Sequence, residues 1–231
     1  MVDVLSECAA LEVFIIHGNL VPRWVQAPTG LPLPKLRSIQ LYGSAQTTTA
    51  FLQDLSTPNL SELSVVPYHH LDWMIFHART GHLPFHTLKA LTLSPYLSND
   101  TSFETMRRTF NDASCCFPQI EELTLVGERS SSMLQALAET KDTKAWPGLM
   151  KLTLPKIFDR DGENALCRFV ILRKAAGMPL PSILLDQESL KWMTRLDWLN
   201  THVNVLGFDK AAVDFGGFIF PEIEDSDIDV Y

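Results

Sequence analysis

Phe117-Pro118-Gln119-Ile120-Glu121-Glu122-Leu123-Thr124-Leu125 sets three apolar residues in a fixed frame: apolar, two variable residues, apolar, one variable, apolar. The frame recurs on both sides of this stretch. Upstream it reads Leu11-Phe14-Ile16, Leu36-Ile39-Leu41, Leu60-Leu63-Val65 and Leu88-Leu91-Leu93. Downstream it reads Leu149-Leu152-Leu154 and Leu180-Ile183-Leu185. Successive starts lie 25, 24, 28, 32, 29 and 31 residues apart, and all 21 framed positions are Leu, Ile, Val or Phe. In a chain that is 46% apolar, that outcome has a chance of about 10⁻⁷ before allowance for the choice of phase. An internal repeat organises the chain.

The spacing has a direct physical meaning. The last two framed positions differ by two residues, so they face the same side of an extended strand. The first feeds the same interior from the approach to that strand. One such strand cannot bury its apolar face, but stacked copies cover one another. Stacking in one direction makes a parallel sheet, which requires crossovers on one side.

The crossovers carry helical signals. Thr101 to Ala113 opens with Thr101 and Glu104 at capping-box spacing and puts Phe103, Met106 and Phe110 on one face. His70 to Thr80 carries Leu71, Met74, Ile75 and Ala78 and stops at Gly81. Glu163 to Ala176 buries Leu166, Phe169 and Val170 before Gly177 and Pro179, and Asp186 can cap a helix bearing Leu190, Met193 and Leu199. Thr48 to Leu55 and Ser132 to Thr140 are shorter candidates. Pro34, Pro58, Pro118 and Pro147 each stand two residues before a framed position, where they stop a helix and favour extended geometry; His86 takes that place before Leu88.

The predicted architecture is an α/β leucine-rich-repeat solenoid, a horseshoe with its parallel sheet on the concave face and helices on the convex face. Residues 1–199 form about seven repeats, 200–221 a C-terminal closing segment, and 222–231 an acidic tail expected to be disordered. The proline-led entries FPQIEELTL, WPGLMKLTL and LPKLRSIQL, with the variable repeat length, resemble the leucine-rich-repeat regions of fungal F-box-like proteins, above all the mushroom sets. The resemblance covers about residues 5–190. It implies the substrate-binding part of a ubiquitin-ligase receptor, with a ligase adaptor as second partner if an F-box lies upstream. No F-box segment is present in the chain, and the Asn that often follows the frame appears only as Asn19. Leu5, Cys8 and Leu11 read as the end of a helix running into the first strand, which implies an array lacking its N-terminal cap.

Composition narrows the function classes. The 231-residue chain has a net charge of -8, of which Glu222, Glu224, Asp225, Asp227 and Asp229 carry five. Neither a basic stripe for nucleic acid nor an apolar run long enough for a membrane span occurs. Asp3 and Glu7 stand where a signal peptide carries positive charge, and Cys8, Cys115, Cys116 and Cys167 form no disulfide pattern. A cytoplasmic or nuclear setting is expected.

No catalytic constellation emerges, so the chain is read as a non-enzyme without cofactor or metal. His82 and His86 have i, i+4 spacing, but Gly81 and Pro84 oppose a helix there. Asp159-Arg160-Asp161-Gly162 lacks the rest of a calcium loop, and Ser130-Ser131-Ser132 lacks a nucleophile elbow. What remains is the outward side of the strands, in three rows. The leading row is Val13, Ser38, Glu62, Ala90, Glu122, Lys151 and Ser182; the central row is Ile15, Gln40, Ser64, Thr92, Thr124, Thr153 and Leu184. The trailing row is His17, Tyr42, Val66, Ser94, Val126, Pro155 and Asp186. Tyr42, Glu62, Glu122 and Lys151 are the expected specific contacts to a protein target, over a floor that includes Gln40, Thr92, Thr124 and Thr153. A scaffold or inhibitor with no ligase link would use the same face, an undecorated sheet face is the plain alternative, and an enzyme is the remote one.

Overall fold

Each framed segment pairs with the next, because every one offers the same apolar side to the same interior. The computed structural model describes residues 5, 7–17, 30–42, 48–68, 85–95, 103–127, 130–139, 145–155, 157 and 159–209. The expected helix from His70 to Thr80, the residues His69, His70, His77 and His82, and the tail 222–231 lie outside them. The strands are β1 (Val13–His17), β2 (Leu31–Pro32), β3 (Ser38–Tyr42), β4 (Leu55–Ser56), β5 (Glu62–Tyr68), β6 (Ala90–Pro95), β7 (Glu122–Leu125), β8 (Lys151–Leu154), β9 (Ser182–Asp186) and β10 (Asn204–Phe208). The helices are α1 (Thr48–Asp54), α2 (Phe103–Cys116), α3 (Ser130–Ala138), α4 (Arg160–Ala175), α5 (Gln187–Trp192) and α6 (Leu196–Asn200).

The fold is α/β. Eight strands form one parallel sheet in the order β1-β3-β5-β6-β7-β8-β9-β10, while β2 and β4 make a short parallel pair of their own. The register sets Phe14, Ile39, Leu63, Leu91, Leu123, Leu152 and Ile183 side by side. A shift between Val65 and Tyr68 is the one irregularity in the described pairing. Every framed residue is buried except Leu11 and Phe14, which are half-buried at the β1 edge.

Helix residues close the other side of the core. Met106, Phe110 and Ala113 of α2, Met133, Leu134 and Leu137 of α3, and Leu166, Phe169 and Val170 of α4 join the framed residues in a single apolar cluster. Their spacing of three and four gives each helix one apolar stripe. α3 packs between α2 and α4.

The prolines do more than stop a helix. Backbone N–H groups of Leu36, Leu60, Leu88, Ile120 and Leu149 donate to the carbonyls of Leu33, Thr57, Phe85, Phe117 and Trp146. Each is an i to i+3 turn, and Pro34, Pro58, Pro118 and Pro147 occupy its second position, where their fixed φ fits; His86 fills that position in the fifth. The third position ties neighbouring turns together. Asn59 Nδ2 donates to Pro34 O at 2.7 Å, Thr87 Oγ1 to Pro58 O at 3.0 Å, and Gln119 Nε2 to Phe85 O at 2.7 Å. Turn-leading residues are all buried, Leu33, Phe85 and Phe117 at 0% exposure and Thr57 and Trp146 at 1%. Thr57 alone among them bears a hydroxyl, and its Oγ1 has no hydrogen-bond partner among the described residues.

Trp146 takes φ 49°, a left-handed conformation that a bulky residue adopts only under constraint. The constraint comes from Arg173 near the end of α4. Its Nη1 donates to Ala145 O at 3.0 Å and its Nη2 to Trp146 O at 3.1 Å, while Phe110 meets the Trp146 ring edge-on. Arg173 is 2% exposed, and burial pushes its pKa below the usual arginine value.

The sheet extends beyond the last framed segment. β10 pairs with β9 in the same register, Asn204 beside Ser182 and Val205 beside Ile183, inside the stretch 200–221. His202 and Gly207 occupy the first and third framed positions there, so no apolar frame announces this strand. A Cβ at Gly207 would lie 2.5 Å from Gln187 Nε2 and 2.8 Å from Leu190 Cδ1. A larger residue there would have to displace the ends of the Gln187 and Leu190 side chains of α5, and glycine leaves them room.

Candidate functional site

Parallel strands in common register turn alternate side chains into rows on the sheet face opposite the core. The leading row runs Val13, Ser38, Glu62, Ala90, Glu122, Lys151 and Ser182, and the pairings extend it to Asn204. The central row is Ile15, Gln40, Ser64, Thr92, Thr124, Thr153 and Leu184, extended to Leu206. Tyr42 stands in the trailing row, beside His17 and Val66.

The expected contact residues thus share one face but differ in presentation. Glu62 and Glu122 are exposed, while Tyr42, Gln40, Thr92, Thr124 and Lys151 are half-buried. Thr153 is only 6% exposed and offers little surface to a partner. Lys151 Nζ and Glu122 Oε2 form an ion pair between adjacent strands, and Lys89 and Glu121 form another one residue earlier in the neighbouring pair. Tyr42 donates its hydroxyl to Gln40 Oε1 at 3.0 Å, which fixes both polar ends along β3. Sequence spacing placed these groups in rows; it carries no information on which of them neutralise each other.

Apolar side chains stand at both edges. Val13 and Ile15 on β1 are 50% and 44% exposed, and Leu206 on β10 is 45% exposed. Val13 and Ile15 are visible in the sequence as the alternate positions of a framed strand. Leu206 could not be found that way, since its strand lacks the frame.

Other polar clusters resolve into structural roles. Asp159 caps α4: its Oδ1 accepts from Gly162 N and from Ser131 Oγ, each at 2.7 Å. Asp186 caps α5, accepting from Glu188 N, Ser189 N and Ser189 Oγ. Buried Glu163 accepts from Arg195 N at 2.6 Å and Thr194 Oγ1 at 2.9 Å, tying α4 to the turn before α6. The contacts of Asp186 and Glu163 satisfy carboxylates that would otherwise be costly to bury. None of the four cysteines is in a disulfide. Burial pushes the Cys116 thiol up to about 12 and also raises Cys167, which leaves neither poised as a thiolate. Among the described residues no three His, Cys, Asp or Glu side chains gather as a metal cage, and no helix is long and apolar enough to cross a membrane.

Comparison with family models, with curated proteins and with solved structures finds no match to this chain.

Proposed function

We propose that the chain is a leucine-rich-repeat solenoid, with its sheet on the concave face and its helices on the convex face, and that it works as a protein-recognition module without chemistry of its own. The observation that carries this reading is the set of in-register rows on one sheet face. Their floor is short and uncharged, and longer polar and charged groups flank it. The repeated turn with its cross-strand ties supports the solenoid. A flat floor admits an extended or helical protein segment, and the flanking Tyr42, Glu62, Glu122 and Lys151 discriminate between partners. The resemblance to fungal F-box-like proteins supports a more specific role: binding the substrate of a ubiquitin ligase in the cytoplasm or nucleus. A scaffold or inhibitor without a ligase would use the same face.

The test compares two folded variants. Replacing Tyr42, Glu62, Glu122 and Lys151 together should abolish capture of a protein partner. Replacing exposed Arg160, Asn164, Lys174 and Lys191 on and beyond α4 should leave capture intact. Loss of capture in the second set alone, with circular dichroism unchanged in both, would move recognition off the sheet face.

A further inference from the structure

We infer that the corner of the sheet formed by β1, β3 and β5 selects a basic residue, arginine or lysine, with an apolar neighbour in an extended protein segment. This rests on the reading of the sheet face as a recognition surface. Charge complementarity carries it. Along the described face, Glu122 is neutralised by Lys151, and Lys89 by Glu121. Glu62 is exposed, and no ion pair reaches it among the described residues; Arg37, at the entry to β3, forms none with it. Glu62 is therefore a carboxylate whose charge the described protein leaves unmatched within contact distance. The central row beside it, Ile15, Gln40 and Ser64, holds no charge.

The surroundings define the rest of the ligand. In the leading row Val13, Ser38 and Glu62 are consecutive. Val13 is 50% exposed and Ser38 only 7%, so a dip floored by a small side chain separates an apolar wall from a carboxylate. Two strand steps put the walls about 10 Å apart. Ile15, on the same side of β1, enlarges the apolar wall. An extended segment crossing the strands presents same-side residues about 7 Å apart, and a long basic side chain covers the remaining distance. The fitting pattern is an apolar residue followed or preceded two positions away by arginine or lysine. Arginine is favoured, because its guanidinium can engage both carboxylate oxygens. An acidic residue at that point would meet the Glu62 carboxylate, which no ion pair among the described residues offsets.

The experiment measures fluorescence anisotropy of extended peptides on the full chain, using a positional library in which one site carries arginine, glutamine or glutamate two positions from an apolar residue. Expected is tightest binding by the arginine series, weakened about 5- to 20-fold by Glu62→Gln and by added salt. Glu62→Lys should turn the preference toward glutamate, and Val13→Ser with Ile15→Ser should weaken all series that carry the apolar residue. Glu188→Gln, an exposed change on α5, should alter nothing. Peptide binding that depends on Tyr42 and Lys151 but ignores the charge at position 62 would overturn this inference while leaving the sheet face as the recognition surface. Absence of binding by every series would overturn the inference, and retention of partner capture by the four-residue face variant would overturn the sheet-face reading itself.

Discussion

Thr57 leads the turn before β5 at 1% exposure, in a position held elsewhere by Leu33, Phe85, Phe117 and Trp146, and its hydroxyl has no partner among the described residues. Replacing it with valine exchanges that hydroxyl for a methyl group of nearly the same shape. Burying a hydroxyl without a hydrogen bond costs about 1–3 kcal/mol by protein mutational data. A buried methyl group contributes about 0.8 kcal/mol of its own. Slight crowding offsets part of this sum, so Thr57→Val should stabilise the fold by about 1–3 kcal/mol. For a chain of this size that raises the melting temperature by about 2–12 °C. Thr57→Ser is the control: it keeps the orphaned hydroxyl, removes the methyl group and should lose about 1 kcal/mol. Urea denaturation followed by circular dichroism, with the slope unchanged, reads both values. A neutral or destabilising valine would show that the hydroxyl has an acceptor, and the account of this turn column would fail.

Leu123→Ala should cost about 2–5 kcal/mol, since the residue is fully buried between Leu91 and Leu152 on adjacent strands; denaturation checks it. Arg173→Met should lose about 2–4 kcal/mol by leaving the Ala145 and Trp146 carbonyls without donors, and Arg173→Lys should recover little because an ammonium lacks the fork. Hydrogen exchange around 145–149 should quicken in both. Among the thiols of helix α2 and helix α4, Cys115 should react with a thiol reagent in the native state, while Cys116 and Cys167 wait for unfolding. Burial raises the Cys116 pKa from 9.0 to about 12, so the unfolded thiol ionises first. Its contribution is complete below pH 9 and is lost as pH rises toward 12. Stability should fall more steeply between pH 8 and 10.5 in the parent than in Cys116→Ala.

Much of the sheet was legible because a strand's burial pattern has period two, and a common register forces the same residues inward in every copy. Leu91, Leu123 and Leu152 are equivalent for that reason. β10 was not legible as a strand of the same kind, since Gly207, against the side-chain ends of Gln187 and Leu190, stands where the frame expects a branched side chain. The prolines were legible as boundaries, but their place in a hydrogen-bonded turn depends on a carbonyl three residues from its donor. A single helix bearing Leu190, Met193 and Leu199 was expected after Asp186; the structure breaks it at Met193, with α6 beginning anew at Leu196. On the candidate face, spacing assigned each residue to its row. It could not show that Glu122 and Lys151 satisfy one another, that Thr153 is covered, or that no ion pair among the described residues reaches Glu62. Those properties belong to contacts between segments about 24 to 32 residues apart, where side-chain reach rather than periodicity decides.

In the eight-stranded sheet, each strand bonds to the strands of that sheet that come before and after it in the chain, with β2 and β4 paired apart. Length is consequently a free parameter of this design. Excising the stretch from Lys89 to Ile120 would bring the edge of β5 against that of β7, two surfaces that already match in register and in apolar content. On the sheet side, such a change by whole units would join strands that already share a register. The crossovers absorb smaller changes, because their lengths differ from unit to unit while the paired strands keep step. The outward side chains of the sheet can then drift row by row, under little constraint from the architecture that carries them.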